Sequence, residues 1–179
     1  MKKLFILTAI SWCGLAHGWS ADLAAAEKLR ASGKFDHAET EYRAVLTSKL
    51  QTLEWPEAKF GLALCHEERK RFRDAEKLFS EILREFPSSK FAPEAAWNII
   101  RLRCGSLHDR RGALEMAEKL ADWKPGSSFN ERGLYAVAVI NYWDKRKKKS
   151  KAACLDYLKV YSDGIYGEAV KELLSKVGG

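Results

Sequence analysis

The sequence predicts an all-α fold: a solenoid of stacked helix–turn–helix units closed by a C-terminal capping helix. Three observations carry that expectation. The first is helical spacing. Within Trp55–Pro87, the residues Ala75, Phe79, Ile82, Leu83 and Phe86 fall at offsets 0, 4, 7, 8 and 11, which puts them on one face of a helix. The second is recurrence. Ala38 is followed by Tyr42, Val45 and Leu46, and Ala75 by Phe79, Ile82, Leu83 and Pro87. Ala113 is followed by Ala117, Leu120, Ala121 and Pro125, and Ala153 by Tyr157, Val160 and Tyr161. Set in this register, the alanines lie 37, 38 and 40 residues apart. A small residue suits a close helix crossing, and an aromatic one turn later fills the space beside it. The third is composition: 46% hydrophobic and 31% charged residues suit a helical globular domain, and no linker interrupts the chain. A two-helix hairpin cannot bury both of its apolar stripes alone, so the copies must stack.

In chain order, Met1-Lys2-Lys3 and the apolar run LFILTAISWCGLA, ending in small residues, have the layout of a secretory leader over residues 1–18, with cleavage between 16 and 21. About 13 apolar residues fall short of the ~20 that a membrane-spanning helix needs, so no transmembrane span is expected once the leader is removed. The bulky Trp12 before Cys13 argues against a lipid anchor on that cysteine. Residues 19–179 then form one repeat domain, with repeats over about 20–52, 55–88, 92–125 and 129–162 and a capping helix over 166–177. Leu23, Ala26 and Leu29 keep helical spacing in the first unit, and Gly33 ends that helix before Phe35. Pro87 stops the second unit, because its ring fixes φ and removes a backbone donor. Pro125-Gly126-Ser127-Ser128 bounds the third. Leu134–Ile140 is apolar on every side and alone could be a strand; its place in the repeat makes it a helix buried between neighbours. In the last helix Glu168, Lys171, Glu172 and Lys176 fall on the wet side.

The alanine/aromatic/aliphatic/proline run, with Trp97 in the third unit and Phe35 or Phe72 in the turn, resembles the tetratricopeptide repeat, a helix–turn–helix of about 34 residues. The junction Phe86-Pro87-Ser88-Ser89-Lys90-Phe91-Ala92-Pro93-Glu94-Ala95 is similar to the YPxSxYAxxA junction of bacterial envelope members, those of the Tol-Pal coordinator and the outer-membrane assembly lipoproteins of the Bam complex. Tyr161-Ser162-Asp163-Gly164-Ile165-Tyr166-Gly167-Glu168-Ala169 is a weaker copy. The resemblance implies a right-handed solenoid. It also implies an exported, non-enzymatic scaffold in the periplasm or otherwise associated with the envelope, and a protein or peptide partner. In such arrays the first helices line the concave face, which here would hold Phe60, Leu64, Glu67, Asn98, Leu102 and Tyr135.

The chemistry-bearing residues point away from catalysis. His66-Glu67-Glu68-Arg69 lacks the second histidine of a zinc helix, and His37 and His108 are isolated. Cys65 and His66 are adjacent and so point about 100° apart on a helix, which separates a nucleophile from its base. No glycine-rich phosphate loop or serine elbow is present, so no enzyme activity, cofactor or metal is expected. With the leader gone, Cys65, Cys104 and Cys154 remain, an odd number at wide spacing that suits buried fillers better than a disulfide framework. The net charge of +7 falls to +5 on losing Lys2 and Lys3, and the remaining basic residues cluster in turns. Arg69, Lys70, Arg71 and Arg73, then Arg110 and Arg111, then Lys145, Arg146, Lys147, Lys148 and Lys149 would project from one edge of a stack as a basic rim. That rim is the alternative site: it would face an anionic envelope surface, of lipid headgroups or cell-wall polymer. Nucleic acid is not expected as a partner of an exported protein.

Overall fold

The computed structural model of the chain describes residues 23–48 and 52–178. The leader over 1–18, its cleavage site and Cys13 lie outside the described residues. Among the described residues there are nine α-helices, one short 3₁₀ turn (Thr52–Glu54) and no strand. The helices pair as α1 (Leu23–Ala31) with α2 (Phe35–Thr47), α3 (Trp55–Glu68) with α4 (Phe72–Glu85), α5 (Ala92–Cys104) with α6 (Arg110–Ala121), and α7 (Ser128–Trp143) with α8 (Lys147–Val160), followed by α9 (Gly167–Gly178). Each helix packs on the next in sequence, and first helices also touch one another, α1 on α3, α5 on α7 and α7 on α9. This is a tetratricopeptide-like solenoid. Leu134–Ile140 lies within α7, as the repeat pattern requires.

The four hairpin turns share a left-handed residue. Gly33, Lys70, His108 and Lys145 have φ of 75°, 59°, 54° and 58°, so the left-handed position recurs every 37 or 38 residues. In three of these turns the helix end closes by the same pair of hydrogen bonds. Gly33, Lys70 and Lys145 donate to the carbonyls of Arg30, Glu67 and Tyr142, and Lys34, Arg71 and Arg146 donate to those of Leu29, His66 and Asn141. That is a Schellman closure, which satisfies the last carbonyls of one helix and aims the chain back along it. Glycine fits the left-handed position without steric cost, yet only the first turn uses it.

The turns also set the register of the second helices, and here the fourth unit departs from the expected alignment. The amides of Ala38, Ala75, Ala113 and Ser150 each donate to the carbonyl four residues back, at Lys34, Arg71, Asp109 and Arg146. Ser150, not Ala153, is therefore the fourth crossing residue. Its side chain is fully buried, and its hydroxyl donates to the Ala138 carbonyl at 2.9 Å. A serine serves where an alanine is expected because its one polar atom finds a partner across the crossing. Tyr157 accordingly matches Ile82 rather than Phe79.

Junctions between hairpins repeat as well. Phe86 and Tyr161 cap α4 and α8 with φ/ψ of −132°/53° and −130°/54°. After each, the amides three, six and nine residues on donate to equivalent carbonyls, Ser89, Ala92 and Ala95 in one case and Gly164, Gly167 and Val170 in the other. The second junction is fastened by a polar network. The Tyr157 hydroxyl donates to buried Glu131 at 2.6 Å and accepts from the Tyr166 amide at 3.1 Å. The Tyr161 hydroxyl donates to Asn130 at 2.5 Å, and Asn130 donates to the Ala121 carbonyl.

Each core is completed by the following unit. Ala38, Tyr42 and Val45 of α2 pack with Ala58 and Leu62 of α3, and Ala75, Phe79 and Ile82 of α4 with Ala95 and Ile99 of α5. Ala113, Ala117 and Leu120 of α6 pack with Ala136 and Ile140 of α7, and Cys154 and Tyr157 of α8 with Val170 and Leu173 of α9. Gly133 lets α7 approach α6, since a Cβ there would stand 2.6 Å from the Ala121 Cα. Ala75 is fully buried at its crossing. Ala75→Glu and Ser150→Glu should each lose several kcal/mol of unfolding free energy by chemical denaturation, because each buries an uncompensated charge. A change under ~0.5 kcal/mol, as expected for a surface position, would contradict this register.

Candidate functional site

The first helices α5 and α7 run side by side, and an apolar trough of about 310 Å³ opens between them. On α5 it is lined by Trp97, Ile100, Arg101 and Cys104, with Gly105 just past the helix end, and on α7 by Tyr135, Val139 and Trp143, with Ala136 and Ile140 buried beneath. Tyr135, Val139 and Trp143 stand at successive helical turns, so the α7 wall is about 12 Å long. Tyr135 is fixed by stacking on Tyr166 of the cap, with ring centroids 4.2 Å apart and planes at 8°. Trp143 is 48% exposed at the far end. Two arginines stand at the mouth, each paired with a carboxylate, Arg101 with Glu67 and Arg132 with Glu94 at 3.1 Å. Arg101 bonds to Glu67 and to the Asn98 side chain, at 2.9 and 2.8 Å, and the Arg132 guanidinium stands 5.8 Å from the Trp97 ring centre.

The expected groove residues fall into three groups. Tyr135 lines the trough. Phe60 and Leu64 sit on the equivalent face of α3 but are half-buried: Phe60 packs on Phe79 and Phe91 at 5.3 and 5.4 Å, and Glu67 is engaged by Arg101. Asn98 and Leu102 lie one residue round from the trough face. Asn98 is 8% exposed and donates to the Glu94 carbonyl in its own helix, and Leu102 is 2% exposed in the core with Ala75 and Phe79. Trp97, Arg101 and Cys104 are the α5 residues that face the opening, with Val139 and Trp143 opposite. The spacing of 97, 101 and 104 repeats that of 60, 64 and 67, and this was the sequence signal for them.

The basic turns do meet along one edge, but acids cancel much of their charge. Arg69 pairs with Asp36 at 2.5 Å and with Glu39 at 2.9 Å, and Arg71 also reaches Glu39. Arg110 lies 3.9 Å from Asp144, which also holds Arg146, and Arg111 pairs with Glu115. Lys70, Arg73, Lys145, Lys147, Lys148 and Lys149 are exposed. Cys65 and Cys154 are buried and Cys104 half-buried, all three as free thiols; burial pushes Cys65 up to about 11, so it stays protonated at neutral pH. Among the described residues no group of three or more His, Cys, Asp or Glu side chains is placed to hold a metal. No helix there is long and apolar enough to cross a membrane.

Residues 23–90 match the family model described as tetratricopeptide repeat. The match spans the first two hairpins; the third and fourth are also helical hairpins, and the fourth repeats the turn hydrogen bonds of the first two. Tetratricopeptide repeats suggest a scaffold for protein–protein contact, in general without chemistry of its own. No curated protein matches the chain.

A second cleft, about 530 Å³, lies between α2 and α4 over a floor formed by Trp55, Lys59, Leu62 and His66 of α3. It is polar and largely self-neutralised: Lys59 pairs with Glu81 and Glu85, both at 2.7 Å. His66 is 4% exposed, 3.7 Å from Glu39 on one side and 3.7 Å from Asp74 on the other. Burial, then the Arg71 charge, holds its pKa below the ordinary imidazole value against the pull of both carboxylates. A depressed imidazole binds fewer protons folded than unfolded, so stability should be full above about pH 6.5 and fall as pH drops through that value. Thermal melts of the parent should therefore show Tm declining from pH 7 to pH 5.5, and His66→Leu should flatten that decline. Parallel profiles would show that His66 does not titrate with folding.

Proposed function

We propose that the chain is a protein-binding scaffold whose partner docks in the trough between α5 and α7. The observation that carries this is an apolar, aromatic-ended trough left open between two first helices, with the half-exposed Arg101 at its mouth. The occupant of that chemistry is a peptide segment with apolar side chains on one side and carboxylates beside them. Two anchors one or two helical turns apart, about 6–11 Å, fit a wall of about 12 Å. Arg101 is already fixed by Glu67 and Asn98 but retains free N–H donors, so it can receive a carboxylate without being reordered. The repeat match supports the scaffold class. The setting we infer is the bacterial envelope, with the chain exported; support for that is the basic-apolar-small order of residues 1–18 and the junction resembling those of envelope members.

The test is selection of peptides on the full chain from a displayed random library, followed by binding measurements with groove variants. Selected sequences should carry aromatic or aliphatic anchors flanked by Asp or Glu. Trp143→Ala should weaken binding by about 30-fold, the scale for removing a buried aromatic anchor, with helical content unchanged. Val139→Glu should abolish it, and Lys77→Glu on α4 should leave it intact. Selected peptides that bind Trp143→Ala and Val139→Glu as well as the parent would remove the trough from consideration.

A further inference from the structure

The second helices of the stack open on different chemistry. α2 and α4 carry Asp36 and Asp74 in their first turns, and Asp109 caps α6 by accepting from the Gly112 amide. Each places a carboxylate at the positive end of a helix dipole, where it is favourable. α8 has neither an acid in its first turn nor a side-chain cap, and it begins Lys147-Lys148-Lys149. The cationic face then continues along the helix. Lys148, Lys151, Ala152, Leu155 and Lys159 stand at offsets 0, 3, 4, 7 and 11, and all five are exposed. Asp156, the only carboxylate of α8, stands beside them.

Two further features define this face. Its lysines, like Lys70, Arg73 and Lys145, have no ion-pair partner among the described residues, whereas Arg69, Arg71, Arg110, Arg111 and Arg146 are all partnered. It also presents aliphatic side chains to solvent: Leu155 is 51% exposed in the middle of the lysines, and Val160 is 57% exposed on the flank. Lysine stems can lie along apolar material while their ammonium groups reach anionic groups around it.

We propose that the outer face of α8 is a docking surface for an anionic phospholipid bilayer. Lys148, Lys151 and Lys159 contact headgroup phosphates, with Lys147 and Lys149 at the two edges of the contact, and Leu155 enters the interfacial layer. A soluble polyanion would satisfy the lysines but leave Leu155 in water. A bilayer takes up both kinds of group at once. The trough between α5 and α7 is lined by other residues, so this surface stands or falls independently of it.

The test is flotation of the full chain with vesicles of phosphatidylcholine alone or with phosphatidylglycerol added. The N-terminal residues are common to parent and variants, so differences report on α8. The parent should prefer the anionic vesicles, and more strongly at low salt. The triple variant Lys148→Glu/Lys151→Glu/Lys159→Glu should lose about 100-fold or more in partitioning, since each lysine near an anionic surface contributes about fivefold. Leu155→Asn should weaken vesicle binding but leave binding to soluble heparin unchanged. Equal binding of the parent to both vesicle types, or a triple variant that partitions like the parent, would overturn the proposal. So would a Leu155→Asn chain that floats like the parent, which would give the face to a soluble polyanion.

Discussion

A hairpin of two amphipathic helices has more apolar surface than it can cover, and every core in this chain is closed by the first helix of the next unit. Phe79 and Ile82 of α4 are buried against Ala95 and Ile99 of α5 as much as against their own partner α3. The last hairpin has no successor, and α9 takes that place: Val170 and Leu173 cover Cys154 and Tyr157, while Glu168, Lys171, Glu172 and Lys176 stay in water. Stability is thus a chain of nearest-neighbour contacts. The polar network of Asn130, Glu131, Tyr157 and Tyr161 sits where the last of those contacts is made.

The same constraint creates the surfaces available for binding. The left-handed residue in each turn reverses the chain at nearly constant intervals, so first helices fall beside first helices. Where α5 meets α7, Trp97, Tyr135 and Val139 are only partly covered by the cores and Trp143 is exposed, and together they form an apolar wall. On the opposite side of the hairpins the second helices remain apart, and the cleft over α3 there is filled with mutually neutralising charge. Function, on this account, follows from which faces the stacking leaves uncovered.

Helix identity, the repeating hairpin and the polar side of the cap were legible in the sequence because each rests on local periodicity. The finer assignments required three dimensions. Ala153 and Ser150 are three residues apart on one helix, and both are buried, so an alignment on alanine alone chose the wrong one. Only the turn hydrogen bonds separate them. Asn98 and Leu102 differ from Trp97 and Arg101 by a single residue, about 100° of rotation, which is enough to exchange core for trough. In α7 the run Leu134–Ile140 is apolar all round, so no pattern marked Val139 as facing outward. The pairing of part of the rim was not legible for a different reason. Asp36 and Glu39 neutralise Arg69 and Arg71 from a helix some thirty residues earlier, a pairing that no local window contains.

The central claim is that the trough between α5 and α7 is where the partner lies. Site-specific photo-crosslinking in the native host tests it most directly, with a photoreactive residue placed at Val139 in the trough or at Lys77 on the opposite side. The account predicts an adduct from Val139 whose partner peptide, identified by mass spectrometry, carries apolar residues flanked by carboxylates, and no such adduct from Lys77. The same partner captured from Lys77 and not from Val139 would contradict it.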